Sequence, residues 1–391
     1  MADSPAFGRR PQFKNNHTNP EIFQHALELC PGLKLSHTPE TLNRIGAIES
    51  LTKKWGPVLE VLEGYASDPE IRFKGSSGGI ISAISLYCVE HEGMYGVLHT
   101  SADEKKAYLN KTTMSINRTH LLVAAGSRYS PASPCEGLHE IEKAPLPCVF
   151  VGKPCDVAAT YNVRLAKPEL NPKIGLTIAC FCAGTPSTNG TMEMLKNMGI
   201  EFSKNLKELR YRGYGWPGKT VAISHNSDNT ITTNELTYEQ SWGKILQKHR
   251  PWRCYICPDH TGEFADIAVG DPWYKKMNAP DSGQSLILVR TQKGKEIINR
   301  AIKNGYILTK KAEPKILPAS QPNLLKTRAA LWGRLMSLKM IGAPCPTYQG
   351  FHLKQSWNEQ LSYIEKVKSI FGTIKRVFKK SLKTKQNIPF N

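Results

Sequence analysis

The sequence predicts a mixed α/β core with an inserted antiparallel hairpin and a C-terminal basic helix. Short apolar runs alternate with helical patterns between about residues 66 and 300, which is typical of a sheet with parallel or mixed pairing. From Leu206 to Ser241 the pattern changes to alternating residues separated by Gly and Asn turns, which indicates an antiparallel hairpin. After residue 353, apolar residues recur every three or four positions beside many lysines, which predicts an amphipathic helix.

Individual elements of the core are predicted from these apolar and helical patterns. Five apolar runs are predicted as strands: Val58–Tyr65, Gly96–His99, Cys148–Gly152, Gly175–Cys180 and Ser285–Arg290. Two segments between them are predicted as helices: Gly79–His91 and Gly190–Met198. The chain is therefore divided into four parts: an N-terminal segment 1–65, a core 66–300, a closing helical region 301–352 and a basic amphipathic helix 353–391.

The composition is that of a soluble globular protein. Hydrophobic residues make up 40% of the 391 residues and charged residues 22%, which does not fit a disordered chain. No apolar run approaches the roughly 20 residues that cross a bilayer, and residues 1–16 are polar and lack a signal-like apolar block. We therefore expect a cytoplasmic protein whose ten cysteines are reduced thiols or metal ligands rather than disulfides.

The formal charge of +19 is concentrated in part at the C-terminal end. The segment from Lys354 to Asn391 holds nine Lys or Arg against two Glu, which is seven of the nineteen charges. The remaining charge forms no basic stripe interleaved with aromatic residues, as a nucleic-acid groove would need. The sequence therefore predicts no nucleic-acid binding.

Four cysteines from three segments predict a metal centre. Cys254 and Cys257 are three positions apart, and Cys155 and Cys182 each lie beside turn-forming residues. Three interpretations stay open. A zinc knuckle usually takes two close doublets, and here there is one. A thioredoxin-like redox pair fits poorly with Pro258 directly after the second thiol. A 4Fe–4S cluster held by four thiolates is the third.

The other cysteines and the histidines are interpreted more simply. Five cysteines are expected to be ordinary thiols: Cys30, Cys88, Cys135, Cys148 and Cys345. Cys180 stays open as a replacement for Cys182, because residues two apart on a strand share a face. The eleven histidines form no HxxxH doublet, so none is predicted to bind metal, and a hydrolase has no nucleophile elbow to support it.

Two polar loops are candidates for binding a cofactor. Lys74-Gly75-Ser76-Ser77-Gly78-Gly79 leads into a helix, and amides at a helix N-terminus attract phosphate groups. A serine-capped turn before a core helix is the alternative. The second loop, Ser127-Arg128-Tyr129, offers a guanidinium for bidentate phosphate contact and a ring for stacking, although an ordinary surface turn has the same local features.

Taken together, these motifs resemble those of the coenzyme F-420 hydrogenase/dehydrogenase beta-subunit family. The resemblance extends from about Val58 to Phe351. It rests on the order and content of five segments: Lys74–Gly79, Gly126–Tyr129, Gly152–Cys155, Phe181–Gly184 and Cys254–Asp271.

The resemblance implies an iron–sulfur flavoprotein oxidoreductase. Its cofactors would be FAD and a 4Fe–4S cluster, and it would pass electrons between a ferredoxin-type or deazaflavin donor and a second substrate. It implies Cys155, Cys182, Cys254 and Cys257 as cluster ligands, and the Lys74–Gly79 and Ser127–Tyr129 loops as the flavin site. It assigns no catalytic residue. The segments Leu331–Arg334 and Tyr348–Phe351 resemble the bacterial branch associated with surface-polysaccharide genes.

One departure from the family pattern concerns electron entry. Many members begin with a ferredoxin-like CxxCxxC segment, and here Cys30 stands alone in residues 1–65. Either the chain starts downstream of that cysteine segment, or the segment has been lost and residues 1–65 are its remnant. The departure motivates an alternative function, a non-catalytic electron-transfer subunit of a larger complex.

The C-terminal helix is predicted to rest an apolar stripe on a surface. The stripe consists of Trp357, Leu361, Ile364, Val367, Phe371, Ile374 and Phe378. Lysines and an arginine occupy the opposite face. The helix is expected either to dock on the protein's own core or, through residues 357–383, to contact an anionic membrane surface.

Overall fold

A mixed sheet forms the centre of the structure, a computed structural model that describes residues 1–12, 20–200, 205–225, 230–275, 281–385 and 388–389. The strands within these residues are β1 (Ala2–Ser4), β2 (Gly8–Arg10), β3 (Lys34–Ser36), β4 (Glu60–Ala66), β5 (Val97–Ala102), β6 (Asn110–Ser115), β7 (Cys148–Gly152), β8 (Ile174–Cys180), β9 (Leu206–Arg210), β10 (Thr220–His225), β11 (Ile231–Leu236), β12 (Ile267–Gly270), β13 (Ser285–Val289), β14 (Ile307–Lys311) and β15 (Thr347–Gln349).

Helices cover both faces of this sheet. Those within the described residues are α1 (Pro20–Glu28), α2 (Pro39–Leu42), α3 (Glu49–Trp55), α4 (Pro69–Lys74), α5 (Ile80–His91), α6 (Arg118–Val123), α7 (Leu138–Lys143), α8 (Pro154–Ala166), α9 (Thr188–Asn197), α10 (Trp252–Tyr255), α11 (Gln292–Lys303), α12 (Ile316–Ser320), α13 (Pro322–Ala329), α14 (Leu331–Met340), α15 (Leu353–Gln360) and α16 (Tyr363–Lys379). None of the described helices is long and apolar enough to cross a membrane.

The order of strands in the central sheet is β14-β4-β13-β12-β8-β7-β5-β6. The four strands β12, β8, β7 and β5 run parallel to one another, and the strands outside them pair antiparallel. Because the four parallel strands point the same way, their carboxyl ends meet at one edge of the sheet, where ligands bind in open α/β sheets. The residues that follow β7, β8 and β12 are therefore brought together there.

Alternating side chains on the inner strands build two separate cores. In β13, Leu286 and Leu288 pack with the side chains on one face, whereas Ile287 and Val289 pack with those on the other. Every residue of β13 is buried, as expected for a strand with helices on both faces. The predicted mixed α/β core is confirmed.

The predicted insertion is also present, as a small antiparallel sheet. Strand β10 pairs with β11 in a hairpin and with β9 on its other side. The sheet has a hydrophobic core of its own, in which Leu209, Tyr211 and Ala222 contact Met194 of α9 and Leu246. It stands over the edge of the central sheet where the parallel strands end.

The C-terminal segment is helical and basic, but it is not one helix. Helix α15 ends at Gln360, and α16 begins after Ser362. The Ser362 hydroxyl accepts a hydrogen bond from the backbone N–H of Glu365, and the Glu365 carboxylate accepts one from the backbone N–H of Ser362, which is a capping box. The predicted continuous apolar stripe is therefore wrong. The buried face of α16 is instead made of Ser369, Thr373 and Val377.

Small side chains set how closely α16 approaches the protein. It packs along α14, where Gly333 lies against Ser369 so tightly that a Cβ at Gly333 would overlap the Ser369 hydroxyl. Three large apolar residues of the predicted stripe point outward: Ile364, Phe371 and Phe378 are 63–65% exposed, whereas Leu361 is 8% exposed. The helix is thus docked on the protein and also presents an apolar ridge to solvent.

Candidate cofactor and cysteine site

A small cavity at the carboxyl edge of the sheet is lined by all four cysteines that the sequence singles out. Its volume is about 40 Å³. Cys155 comes from the first turn of α8, Cys182 from the loop after β8, and Cys254 and Cys257 from α10 and the turn that follows it. The structure therefore brings the four predicted ligands to one place. We call this space the cysteine cavity.

Cys180, the alternative to Cys182, lies elsewhere. Strand β8 ends at Cys180, so Cys182 belongs to the loop beyond it and the two side chains do not share a strand face. The Cys180 thiol lies 3.6 Å from the Gly152 carbonyl oxygen and borders a second, larger cavity. The placement favours Cys182 over Cys180 as a ligand.

The turn after Cys257 is fixed by a buried carboxylate. Asp259 accepts hydrogen bonds from the amides of Thr261, Gly262 and Glu263 at 2.7–2.9 Å. The guanidinium of Arg328 donates to the carbonyl oxygen of Pro258 at 2.9 Å, which fixes the position of Pro258 between Cys257 and Asp259. The backbone position of Cys257 is therefore set by a satisfied polar network.

Glu263, at the end of this turn, belongs to a buried cluster of charged side chains. Glu263 pairs with Arg328 and lies 2.9 Å from the Nε2 atom of His37. Burial alone would raise the pKa of the Glu263 carboxyl, but Arg328 and His37 outweigh it and hold the pKa at about 2. Glu263 is therefore ionised, and its charge is compensated inside the protein.

Three thiols of the cysteine cavity, those of Cys155, Cys182 and Cys257, are hard to ionise without a cation. Burial raises the pKa of Cys155 and of Cys182 well above the ordinary value, and that of Cys257 to about 11. A metal centre binds thiolates, so loading this cavity must release protons. Two cations lie close by: Lys153, which also pairs with Asp156 at 2.6 Å, and Arg253, which lines the cavity.

Within the described ranges, no three His, Cys, Asp or Glu side chains are arranged to hold a single metal ion. The four cysteines that line the cysteine cavity are soft sulfur donors, a type that suits iron.

His260 is a further donor at the cysteine cavity, and the sequence patterns did not identify it. The ring is 5% exposed, and its Nδ1 atom lies 2.9 Å from the carbonyl oxygen of Cys182. Burial lowers the pKa of His260 to about 4, so the ring is neutral near pH 7. Its Nε2 atom is buried and has no hydrogen-bond partner among the residues that the structure describes.

A larger cavity of about 330 Å³ adjoins the cysteine cavity. Of the predicted cofactor-binding residues, those that line it are Gly75, Ser76, Ser77, Gly79, Ser127, Arg128 and Tyr129. Cys182, Gly184 and Thr185 border both cavities, so a single stretch of backbone separates them. We call this larger space the cofactor cavity.

Two members of the predicted loop do not line the cofactor cavity. Lys74 is the last residue of α4 and forms an ion pair with Glu70 of the same helix at 2.9 Å. The amide of Gly78 donates to the hydroxyl of Ser285 at 2.9 Å, which anchors the loop to β13.

The glycine loop brings the N-terminus of α5 to the cofactor cavity. Gly79 precedes the helix with a φ of +72°, and a Cβ there would lie 2.7 Å from the carbonyl oxygen of Ile71. Ile80, Ile81 and Ser82 of the first turn line the cavity. Free amides at this end of a twelve-residue helix can bind a phosphate group.

Arg128 lines the cofactor cavity but has a structural role. Its Nε atom donates to Asn110 of β6 at 2.8 Å, and its two terminal nitrogens donate to the carbonyls of Leu209 and Ala107 at 2.6 and 2.7 Å. The predicted bidentate phosphate contact would need these donors. Arg128 instead ties the inserted sheet to the central sheet.

A buried ion pair that the sequence did not predict lies in the wall of the cofactor cavity. Arg212 holds Asp271 by two hydrogen bonds of 2.9 and 2.8 Å, and both residues line the cofactor cavity. The rings of Tyr238 and Trp273 lie 5.1 and 5.4 Å from the guanidinium. Asp271 ends the Cys254–Asp271 segment on which the resemblance rests, but no local pattern in the sequence pairs it with Arg212.

Comparisons with known proteins agree with this architecture. The family model for the coenzyme F420 hydrogenase/dehydrogenase beta subunit matches in two parts, its N-terminal part at residues 61–139 and its C-terminal part at residues 147–315. A chain of the F420-reducing NiFe hydrogenase complex from Methanosarcina barkeri has a similar fold, with a TM-score of 0.55 and 20% sequence identity. The match covers 72% of this chain and 94% of that chain.

Curated relatives carry related names. The coenzyme F420 hydrogenase subunit beta of Methanococcus voltae is 26% identical over 261 residues, which are 66% of this chain and 85% of that protein. The F420-dependent formate dehydrogenase 1 subunit beta of Methanococcus maripaludis is 27% identical over 252 residues, which are 64% of this chain and 61% of that protein. Since the two parts of the family model together match more than half of the sequence, the chain belongs to the coenzyme F420 hydrogenase/dehydrogenase beta-subunit family.

Proposed function

We propose that this protein is an oxidoreductase that uses FAD and a 4Fe–4S cluster to pass electrons between a one-electron carrier or a deazaflavin and a second substrate. The observation that carries the proposal is the wall shared by the two cavities. Cys182, Gly184 and Thr185 border both, so groups bound on either side would be adjacent. A flavin, when bound, exchanges one or two electrons and a cluster exchanges one, so the pair links hydride chemistry to single-electron carriers.

The cysteine cavity has the chemistry that a cluster needs. Its sulfur donors suit iron, and we assign Cys155, Cys182, Cys254 and Cys257 as the ligand set. Lys153 and Arg253 place positive charge beside a group that would be negative once its thiolates are bound. The network around Asp259 holds Cys257 in place without metal, which preorganises one member of the assigned ligand set.

The cofactor cavity suits a flavin in size and in polarity. A volume of about 330 Å³ lies within the range of small-molecule sites. The first turn of α5 offers amides for a phosphate group, and Tyr129, Tyr238 and Trp273 supply ring surface in the wall. We assign the loop residues Gly75, Ser76, Ser77 and Gly79 to the phosphate end.

The donor is proposed to be a ferredoxin-type carrier or a deazaflavin. The names of the relatives refer to coenzyme F420, which supports the deazaflavin. The bacterial, polysaccharide-associated branch inferred from the Leu331–Arg334 segment stays a prediction, as do the four-part division of the chain and its cytoplasmic location.

Reconstitution of the cofactors tests the proposal. The protein is purified without oxygen, supplied with iron, sulfide and FAD, and freed of excess reagents. We expect bound flavin absorbance, broad absorbance of a cluster, and iron and sulfide in equal amounts. A colourless protein after this treatment would overturn the proposal.

A second candidate is a non-catalytic electron-transfer subunit. The relatives named above are themselves described as subunits, and the similar solved chain is part of a hydrogenase complex. Dye reduction by the isolated, reconstituted chain from reduced ferredoxin or a reduced deazaflavin separates the two candidates. Turnover by the chain alone favours the enzyme, whereas a loaded chain without turnover favours the subunit.

Peripheral contact with a membrane is proposed for the outer face of α16. Ile364, Phe371 and Phe378 form an exposed apolar ridge, and Lys368 and Lys375 are exposed on the same helix. An apolar ridge flanked by cations suits the surface of an anionic bilayer.

A further inference from the structure

Three arginines surround the short helix α10, which carries Cys254 of the cysteine cavity. The guanidinium of Arg376, from α16, lies 4.8 Å from the centre of the Tyr255 ring, and that of Arg250 lies 4.9 Å from it. Arg334 of α14 donates a hydrogen bond of 2.5 Å to the backbone carbonyl of Tyr255. Three separate segments thus bring positive charge to the helix of the cysteine doublet. We call these three arginines the arginine patch.

The charge of the arginine patch is not compensated within the part of the chain that the structure describes. The three arginines form no ion pair with Asp or Glu there, whereas Arg212 and Arg328 each hold a carboxylate. Arg250 and Arg376 instead act on Arg334 as like charges. Because like charges repel one another, an anionic group that binds at the patch would be stabilised by all three.

Arg376 is the member of the patch with donors to spare. Its side chain is partly exposed and donates no hydrogen bond to any residue that the structure describes. Its contacts are the rings of Tyr255 and of Trp252, whose centre lies 5.7 Å from the guanidinium. Arg250 and Arg334, in contrast, donate to backbone carbonyls. A guanidinium that lies against rings still offers its N–H groups to a carboxylate, and it can bind one bidentately.

The rings of α10 give this surface the composition of a protein–protein interface. Trp252 and Tyr255 are both partly exposed, and their rings stack with centres 6.2 Å apart. Arg, Trp and Tyr are the residues that most often dominate the binding energy of such interfaces. Both rings belong to the same four-residue helix as Cys254, so a protein that docks on them lies beside the cysteine doublet.

We propose that the arginine patch is the docking surface for an acidic one-electron carrier protein, whose carboxylates bind the guanidiniums while its redox centre faces α10. This inference rests on the proposed function and names the side on which electrons enter. One electron passes from the reduced carrier to the group in the cysteine cavity, so the carrier is oxidised and that group is reduced, without transfer of a proton. Arg334 and Arg376 lie beyond residue 315, where the match to the family model ends, so the surface depends on the C-terminal helices.

Binding of a two-cluster bacterial ferredoxin of net negative charge tests the inference. The full chain, reconstituted with iron, sulfide and FAD, is immobilised, and its Kd for the ferredoxin is measured at low and at high salt. Arg376→Gln should weaken binding at low salt by about tenfold, as expected for a close charge pair across an interface. The difference should shrink at high salt, because salt screens the attraction. Arg376→Lys keeps the charge and should restore most of the binding.

A matched control is Lys303→Gln, which removes the same charge from an exposed position. Lys303 belongs to α11, which packs on the other face of the central sheet from α14. This variant should bind the ferredoxin as the wild type does. Equal Kd values for Arg376→Gln and Lys303→Gln overturn the inference. Unchanged ferredoxin binding in Arg376→Gln with weaker sedimentation on anionic liposomes would assign the patch to a membrane and overturn it as well.

Reduction of the reconstituted protein by reduced methyl viologen separates docking from an effect on the bound group. This small cation needs no carboxylate contact, so Arg376→Gln should keep the wild-type rate. A fall in this rate that matches the loss of ferredoxin binding would show that Arg376 acts only on the bound group, and it would overturn the inference. A wild-type protein that takes up no iron overturns the proposed function, and the Kd of that unloaded protein and its Arg376→Gln variant still decides the docking surface.

Discussion

Arg212 and Asp271 form a bidentate ion pair in the wall of the cofactor cavity, although they lie 59 residues apart in the chain. Arg212 follows the first strand of the inserted sheet, and Asp271 follows β12 of the central sheet. Burial alone would lower the pKa of the guanidinium, but Asp271 outweighs it and raises the pKa. Trp216 also donates its ring N–H to Asp271 at 2.8 Å. The pair therefore ties the inserted sheet to the sheet edge where the parallel strands end.

Removing Asp271 should destabilise the protein strongly. Asp271→Ala leaves the Arg212 guanidinium buried, 2% exposed, without its counter-charge. Breaking a buried pair in this way costs about 3–5 kcal/mol. The free energy of unfolding, measured in urea, should fall by that amount, and retention of FAD should fall with it.

The matched control for this prediction is a pair on the surface of the same inserted sheet. Lys219 and Glu235 are bonded at 2.5 Å, but their side chains are 62% and 44% exposed. Glu235→Ala should change the free energy of unfolding by no more than about 1 kcal/mol. Equal effects of the two substitutions would show that the Arg212–Asp271 pair does not hold the wall together.

Substitution of the cysteines should separate ligands from ordinary thiols. Cys155→Ala, Cys182→Ala, Cys254→Ala and Cys257→Ala are tested one at a time for iron content after reconstitution. Each variant should lose most of its iron, because cluster binding depends on the full shell.

Two kinds of control accompany these variants. Cys88 is fully buried in α5, and the Cys135 thiol lies 3.4 Å from the carbonyl oxygen of Asp156; neither lines the cysteine cavity. Their alanine variants should keep the iron of the wild type. Loss of iron in Cys180→Ala with retention in Cys182→Ala would reverse the choice between those two residues.

Local patterns predicted the strands of the sheet well and the breaks between helices poorly. The strand predicted at Ser285–Arg290 is observed at Ser285–Val289, because a continuous apolar run fits a strand buried on both faces. Leu361 fits the helical spacing of the apolar residues, so this spacing did not indicate the break between α15 and α16. The capping box of Ser362 and Glu365 was readable in the sequence, and it overrides that period.

The candidate site was predictable only as far as local chemistry reaches. Cysteine spacing and turn residues led to the cysteines that meet at the small cavity. Arg212 and Asp271 have no such signal, since their pairing depends on how two sheets meet. His260 lies three positions after Cys257, but it forms no HxxxH doublet, and only the fold places it beside Cys182.

Substitution of Gly79 should affect the cofactor loop more than the same change elsewhere. Gly79→Ala places a Cβ 2.7 Å from the Ile71 carbonyl oxygen and imposes a positive φ on alanine. The φ alone costs about 1–2 kcal/mol, and the clash must move the loop. We expect a lower melting temperature and weaker retention of FAD.

Gly93 provides the comparison, at the other end of α5. It has a φ of +65°, and a Cβ there meets nothing within 4 Å. Gly93→Ala should therefore lower the melting temperature through backbone strain and leave FAD binding unchanged. FAD retention in Gly79→Ala equal to that in Gly93→Ala would remove the glycine loop from the flavin site.

Stability should depend on pH through Glu263. Its pKa is lowered from the ordinary 4.5 to about 2 in the folded protein. A depressed carboxyl pKa contributes stability above the unfolded value, and this contribution is lost as the pH falls from about 4.5 towards 2. Urea unfolding across this window should show a steep loss of stability in the wild-type protein.

Glu263→Gln should flatten that dependence, because the amide does not titrate. It should also lower the stability at pH 7, since Arg328 would keep a buried charge without its partner. A matched acidic control is Glu235→Gln in the surface pair described above, which should leave the slope between pH 4.5 and 2 unchanged. An unaltered slope in Glu263→Gln would assign the acid sensitivity to other carboxyls.

Binding to anionic vesicles should depend on the apolar ridge of α16. Phe371 and Phe378 are 65% and 63% exposed, so changing them to serine removes apolar surface without opening the core. Burying a phenylalanine contributes about 1.5–3 kcal/mol, and 1.4 kcal/mol corresponds to tenfold in affinity. Each substitution should therefore weaken co-sedimentation with anionic liposomes by about tenfold or more.

Substitution is a sharper test here than truncation. Val377 is fully buried and Thr373 nearly so, so a chain that ends before α16 would expose the surface of α14. Leu165→Ser on α8 is the control, because Leu165 is 59% exposed and lies outside the basic helix. Leu165→Ser should bind the vesicles as the wild type does. Added salt should weaken the binding of both proteins, because salt screens the attraction between basic residues and anionic lipids, which is about 1 kcal/mol for each basic residue near the surface. If the serine variants of Phe371 and Phe378 sediment with the vesicles as well as Leu165→Ser does, the ridge does not bind membranes and its exposure needs another partner.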